Sequence, residues 1–209
     1  MERFFIDKIP DGVSNYFDRI IQDKLDLFYI ASTDRHLLGS VIQQDSSIIF
    51  SGLSDVTLYF KKNDQIGVLP LFFNYPSKKL DYSYQYSADI FNVKFGKFSI
   101  ISLLDFVELK AAGIVYFDAP LALAGWKRIT LTDEHRYKER GVKREIIQTM
   151  DIDMGIVLDF QEGKHIVIHV SDDKSLLNIR YCLSDESLNL WLDDRNVRIY
   201  DAKLSFQGF

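Results

Sequence analysis

Apolar residues recur every three to four positions near the start of the chain and every second position over most of the remainder. Val13, Phe17, Ile20, Ile21, Leu25 and Phe28 form one stripe, which predicts a helix over residues 13–28 with Asp11 or Ser14 as its cap. From about residue 47 the period is two, and strands are predicted over 47–51, 56–60, 66–73, 80–86 and 91–95. The intervening segments are short, Lys61-Lys62-Asn63-Asp64 and residues 74–79, which makes these strands antiparallel neighbours. Pro70 has no N–H to give to a ladder, so its strand is expected at an edge or a bulge.

A helical pattern returns over residues 102–112. Ser102 and Asp105 have the spacing of a capping box, and Gly113 is placed to stop the helix. Short strands are expected at 114–117 and 127–131, around a loop containing Pro120 and Gly125. Residues 132–150 are rich in charge and predict a second long helix, weakened at Gly141 by about 1 kcal/mol relative to alanine. The rest predicts a meander with strands at 154–160, 164–170, 176–183, 188–192 and 197–204. Together these elements give a β-rich α+β protein with two antiparallel meanders, an N-terminal helix and two central helices. One domain over residues 1–209 is the simpler organisation, and two lobes, about 1–131 and 132–209, are the alternative.

Composition sharpens this in three respects. The 16 Phe and 11 Tyr among 209 residues favour sheet. The single cysteine, Cys182, permits no internal disulfide, residues 1–8 carry charge early, and no window nears the run of about 18 apolar residues that spans a bilayer. A reducing, cytoplasmic setting without membrane attachment is therefore expected. Residues 150–209 hold 11 acids and 6 bases, an excess equal to the whole net charge of −5. That part repels nucleic acid and attracts a basic protein surface.

The motifs that carry chemistry are sparse. Acid-x-Lys, which serves metal-dependent nucleases, occurs at Glu108/Lys110, Glu162/Lys164, Asp172/Lys174 and Asp201/Lys203. With 30 acids and 25 bases in 209 positions, about 3.6 acid-x-base spacings arise by chance. Asp151-x-Asp153-x-Gly155 with Glu162 resembles a calcium loop, but Ile156 stands where that loop needs glycine. His165 and His169 are four apart on an expected strand. Their separation of about 13 Å is too long for one zinc ion. His36 lies beside Asp34 and Arg35 without a nucleophile, and Cys182 is expected to be a buried, inert thiol. No nucleotide-binding or serine-hydrolase signature is present, and no cofactor is implied. Tyr82, Tyr84 and Tyr86 alternate on one strand face, as cross-strand packing or as a stacking platform.

The last meander brings its turns to alternate ends of a sheet. Asp151, Asp153, Asp172, Asp173, Asp193 and Asp194 are then expected at one end, either as ordinary turn residues or as an acidic docking rim. The function expected is a non-enzymatic protein that binds a basic partner, an immunity-type inhibitor of a basic toxin or nuclease. The alternatives are a metal-dependent enzyme with its site at the same acidic end, and carbohydrate or nucleic-acid binding through the tyrosine face.

Overall fold

A computed structural model of the chain describes residues 2–33, 41–44, 47–74, 92–109, 113–138, 145–170, 177–193 and 197–201. In chain order the elements are β1 (Glu2–Asp7), α1 (Gly12–Gln22), β2 (Asp26–Ala31), β3 (Val41–Gln44), β4 (Ser47–Leu53), β5 (Asp55–Lys62), β6 (Gln65–Asn74), β7 (Asn92–Phe95), β8 (Ser99–Ser102) and α2 (Leu103–Leu109). Then come β9 (Gly113–Lys138), β10 (Glu145–Phe160), a 3-10 turn (Gln161–Gly163), β11 (His165–Val170), β12 (Leu177–Cys182), α3 (Asp185–Asp193) and β13 (Val197–Asp201). Strand outweighs helix, so the β-rich α+β class is the observed one. Among the described residues, no helix is long and apolar enough to cross a membrane.

The strands join into one sheet in the order β3-β4-β12-β11-β10-β9-β2-β5-β6-β7, with β1 on β10, β13 on β9 and β8 on β6. β1 on β10 is parallel, and the other pairings are antiparallel. β9 links the two halves. One of its edges pairs with β10, while the other is divided between β2 and β13.

The faces follow from the period of two. Ile156, Leu158 and Phe160 of β10 and Ile166, Ile168 and Val170 of β11 turn inward, into the same core as Leu27, Ile30, Leu58, Leu69 and Leu71 from the other half. α1 adds Val13, Phe17 and Ile20 to that core, and Phe17 lies 4.7 Å from the Trp126 ring, centroid to centroid. The alternate residues face outward. Val157, Val167 and Cys182 meet Leu188 and Trp191 of α3. On the other half, Phe28, Tyr29 and Tyr59 meet Phe106 of α2. A register shift between Leu27 and Tyr29 lets Leu27 and Ile30 serve one face of β2, and Tyr29 and Ala31 the other.

Several expectations hold and several are corrected. The N-terminal helix is present but ends at Gln22, and the chain from Asp26 is already strand. The capping box at α2 forms as expected: the Ser102 N–H donates to Asp105 Oδ2 at 3.3 Å, and the Asp105 N–H to Ser102 Oγ at 3.2 Å. The second central helix, over 132–150, does not form. Residues 133–138 belong to β9 and 145–150 to β10, paired from Lys138↔Glu145 onward. Their helical propensity is a weak prior, and the β-branched Ile147, Thr149 and Ile152 have ladder partners on both sides, β9 and β1. The loop expected around Pro120 and Gly125 is also strand, so 114–117 and 127–131 are parts of one long β9.

The strand expected at 188–192 is instead α3. Ser184 and Ser187 cap it reciprocally, each N–H donating to the other's hydroxyl at 3.3 Å. Leu188, Trp191 and Leu192 then have helical spacing, three and four apart. The final strand, β13, leaves the meander and pairs with β9. Pro70 lies inside β6, opposite Thr57. The other edge of β6 is shared by β8 up to Val68 and β7 from Leu71, so Pro70 falls between them, where no ladder donor is required. Its carbonyl accepts the Gly96 N–H at 2.7 Å. The expected strand at 80–86, with Tyr82, Tyr84 and Tyr86, lies outside the described residues, as does His36.

Gly155 shows how tightly β10 and β11 approach. A Cβ there would stand 2.7 Å from His169 Cα, against backbone that cannot rotate away. Gly155→Ala should therefore lower the denaturant midpoint by the equivalent of about 1–3 kcal/mol. Gly12→Ala, with nothing within 4 Å of its added methyl group, serves as the unaffected reference. Equal midpoints for the two variants would disprove the close packing.

Candidate functional site

Two clusters of charged side chains follow from the pairing. The first lies on the edge of β10 opposite β9. β1 occupies that edge from Ile147 to Ile152 and β11 occupies it from Gly155 to Asp159. Asp153 falls at the seam, beside a register shift between Asp153 and Gly155. Its carboxylate accepts the Ile9 N–H at 2.9 Å, where the chain leaves β1, and the Thr130 hydroxyl at 2.7 Å. Lys8 Nζ stands 3.4 Å away and Arg128 Nη1 3.7 Å away. At 1% exposure, this carboxylate is desolvated, and its partners replace the lost water.

Of the six aspartates of the expected rim, the structure describes Asp151, Asp153 and Asp193. Asp151 is 41% exposed and bonded by Lys8 at 2.6 Å, so Lys8 joins it to Asp153. Asp153 points inward and presents no carboxylate to a partner. Asp193 is the last residue of α3. Asp172, Asp173 and Asp194 lie outside the described residues. The register carries the end of β11 to the level of Gly155, and the start of β13, Val197↔Leu131, to the level of Ile152.

The second cluster is at the opposite end of β10 and centres on His165. Asp159 and His165 face each other across the β10–β11 ladder, on the outer surface that α3 covers. Their hairpin closes through Glu162 and Gly163, both at positive φ, 66° and 67°. His165 is 5% exposed. Its Nδ1 lies 2.8 Å from Asp159 Oδ1 and its Nε2 2.8 Å from Asp185 Oδ1. Asp159 Oδ2 takes a second cation, Lys127 Nζ, at 2.8 Å. Ionised carboxylates only accept, so both ring contacts are satisfied when His165 is the imidazolium and donates twice.

The titration shifts agree with that geometry. The hydrogen bond to Asp159 raises the His165 pKa, burial opposes it, and the bond to Asp185 and the two negative charges add to the rise. Burial pushes Asp159 up, but the bonds and charges of His165 and Lys127 outweigh it and carry the carboxyl down. Asp159 and Lys127 also line a cleft of about 250 Å³ with Asp18, Ile21, Ala124, Gly125 and Trp126. The cleft sits where β9 slips by one residue between Leu123 and Gly125, a bulge that re-aims neighbouring side chains.

As arranged, the imidazole has both nitrogens on carboxylates and none left to take a proton from a nucleophile, which makes it a bridge rather than a general base. His169 shares its face but has other contacts, donating from Nδ1 to the Val170 carbonyl at 2.8 Å and packing 4.9 Å from the Trp191 ring. Among the described residues, no group of three His, Cys, Asp or Glu side chains is placed to hold a metal. Cys182 is fully buried, its thiol pKa is raised by that burial, and the Ser47 hydroxyl donates to its sulfur at 3.7 Å. The pair Glu162/Lys164 forms an exposed ion pair at 2.7 Å on the turn.

The sequence pairs His165 with His169 only as candidate ligands of one metal ion, and Asp159 is not singled out. The signal was available in the hairpin, since residues flanking a tight turn at equal distance face each other. Asp185 was out of reach without α3.

Removing the Asp153 carboxylate should be far costlier than removing Asp151. Asp153→Ala leaves the buried Ile9 N–H and Thr130 hydroxyl without this acceptor and removes the buried charge that Lys8 and Arg128 face, and should lose about 3–5 kcal/mol in chemical denaturation. Asp151→Ala, half in water, should stay within about 1 kcal/mol of the parent. Similar losses for both would contradict the burial of the seam.

Comparison with family models, curated proteins and solved structures finds no match to this chain.

Proposed function

We propose that the chain is a non-enzymatic protein-binding protein that uses its acidic C-terminal part to dock a basic partner, in the manner of an immunity-type inhibitor masking a toxin or nuclease. The observation that carries this reading is the charge division: residues 150–209 hold the entire excess of −5. Asp185, with its side chain 78% exposed, and Glu162, at 74%, offer carboxylates to solvent from this part, and Glu186 is exposed beside Asp185. Charges of one sign on one part of a protein speed encounter with an oppositely charged surface and need no chemistry of their own. The proposed docking residues are Asp151, Asp172, Asp173, Asp193 and Asp194, with Asp153 holding the strand that presents Asp151.

The test begins with capture of a partner from lysate of the source organism, followed by stopped-flow association at low and high salt. Reversing Asp172, Asp173, Asp193 and Asp194 to Lys should slow association about tenfold or more and flatten its salt dependence, while the circular dichroism spectrum stays strand-dominated. An on-rate indifferent both to salt and to the four reversals would sink the docking reading. Calorimetric binding of Mg²⁺ that disappears in Asp193→Asn would replace it with a metal-dependent enzyme.

A further inference from the structure

We propose that His165 is a charge-dependent latch on α3: as the imidazolium it ties Asp185, the first residue of the helix, to Asp159 on β10, and loss of its proton frees the helix start from the sheet. The two contacts of 2.8 Å come from different elements and meet on one ring. A neutral imidazole keeps one N–H. It can donate to one carboxylate, and it turns a lone pair toward the other. The two carboxylates are not equal competitors for that proton. Asp159 is the cross-strand neighbour of His165, is largely buried, and is also held by Lys127. Asp185 is 78% exposed and has water as an alternative. Deprotonation therefore costs the Asp185 contact and spares the Asp159 contact.

The charged and titratable groups around the latch support this order. β10 contributes Asp159, and β9 contributes Lys127 through it. α3 contributes Asp185 and its neighbour Glu186. From the turn come Glu162 and Lys164, bonded to each other. β12 places Cys182 opposite His165 and Tyr181 next to it, and burial raises both pKa values, which keeps them uncharged while the imidazole titrates. α1 places Asp18 in the cleft that Asp159 lines. The direction of the pH effect follows. The folded pKa of His165 lies above its ordinary 6.5, so its stabilisation is complete below about 6.5 and is lost as pH rises through the folded value. The folded pKa of Asp159 lies below its ordinary 3.8, so its share is present above that value and is lost as pH falls through the lowered one. The latch is closed between these two limits and opens from the alkaline side at His165.

Trp191, two turns along α3, reports the movement. The experiment is an NMR titration of the full chain, following the rings of His165 and His169 and the indole N–H of Trp191. The expected result is a His165 midpoint above 6.5 and a Trp191 shift with that same midpoint. Both should move to lower pH in Asp185→Asn, an exposed substitution. A His165 midpoint at or below 6.5 in the parent protein would overturn the latch without recourse to any variant. A Trp191 shift that follows the His169 midpoint, or an Asp185→Asn profile identical to the parent's, would overturn it equally.

Discussion

The long ladder between β9 and β10 is the constraint on which the other elements depend. It runs from Lys138↔Glu145 to Leu123↔Phe160, and both strands continue to find partners on their outer edges. A buried backbone must pair its N–H and C=O groups, and two strands of this length can do so only if other segments are recruited along them. β1 and β11 share one edge, and β2 and β13 share the other. The two register shifts, at Asp153/Gly155 and Asp159/Phe160, fall beside the two charged clusters. At Asp153 the bulge lies on β10 itself and breaks the strict alternation of faces around the carboxylate, whereas at Asp159 it lies on β9 and shapes the cleft that the carboxylate lines.

The legible parts of the fold were those in which local chemistry and tertiary packing agree. The stripe from Val13 to Ile20, the Ser102/Asp105 box and the alternation from Ile156 to Val170 each specify an element that also satisfies the core. Residues 132–150 were illegible because their surface charge fits a helix as well as a two-sided ladder, and the deciding partner, β1, is distant in sequence. Residues 188–192 misled for the opposite reason. Leu188, Leu190 and Leu192 alternate like a strand, but Leu190 is half exposed while Leu188 and Trp191 are buried, so the buried set has helical spacing. Asp153 was found as a residue and misread as surface, since a sequence shows an acid near a turn but not the Ile9 N–H that draws it inward.

Helices α2 and α3 occupy the outer faces of the two halves and differ in how they are held. Phe106 of α2 enters an aromatic cluster, with ring centroids 5.1 Å from Tyr59 and 5.4 Å from Phe28. α3 combines apolar contact at Leu188 and Trp191 with the charged bridge at its first residue. Apolar burial is indifferent to proton concentration, whereas a bridge between ionised groups is not. The same sheet therefore carries one helix whose attachment is constant and one whose attachment is adjustable.

The parallel pairing of β1 with β10 has a consequence for assembly. Ile9 and Asp153 are 144 positions apart in the chain, so docking β1 closes a very large loop, and its entropic cost must be met before any of its contacts form. During synthesis β1 emerges early and has no partner until β10 follows. Until then the edges of β1 are open to pairing with other chains. β1 is thus secured only by a strand that follows far along the chain, and in the interval between the two it must be held out of wrong company.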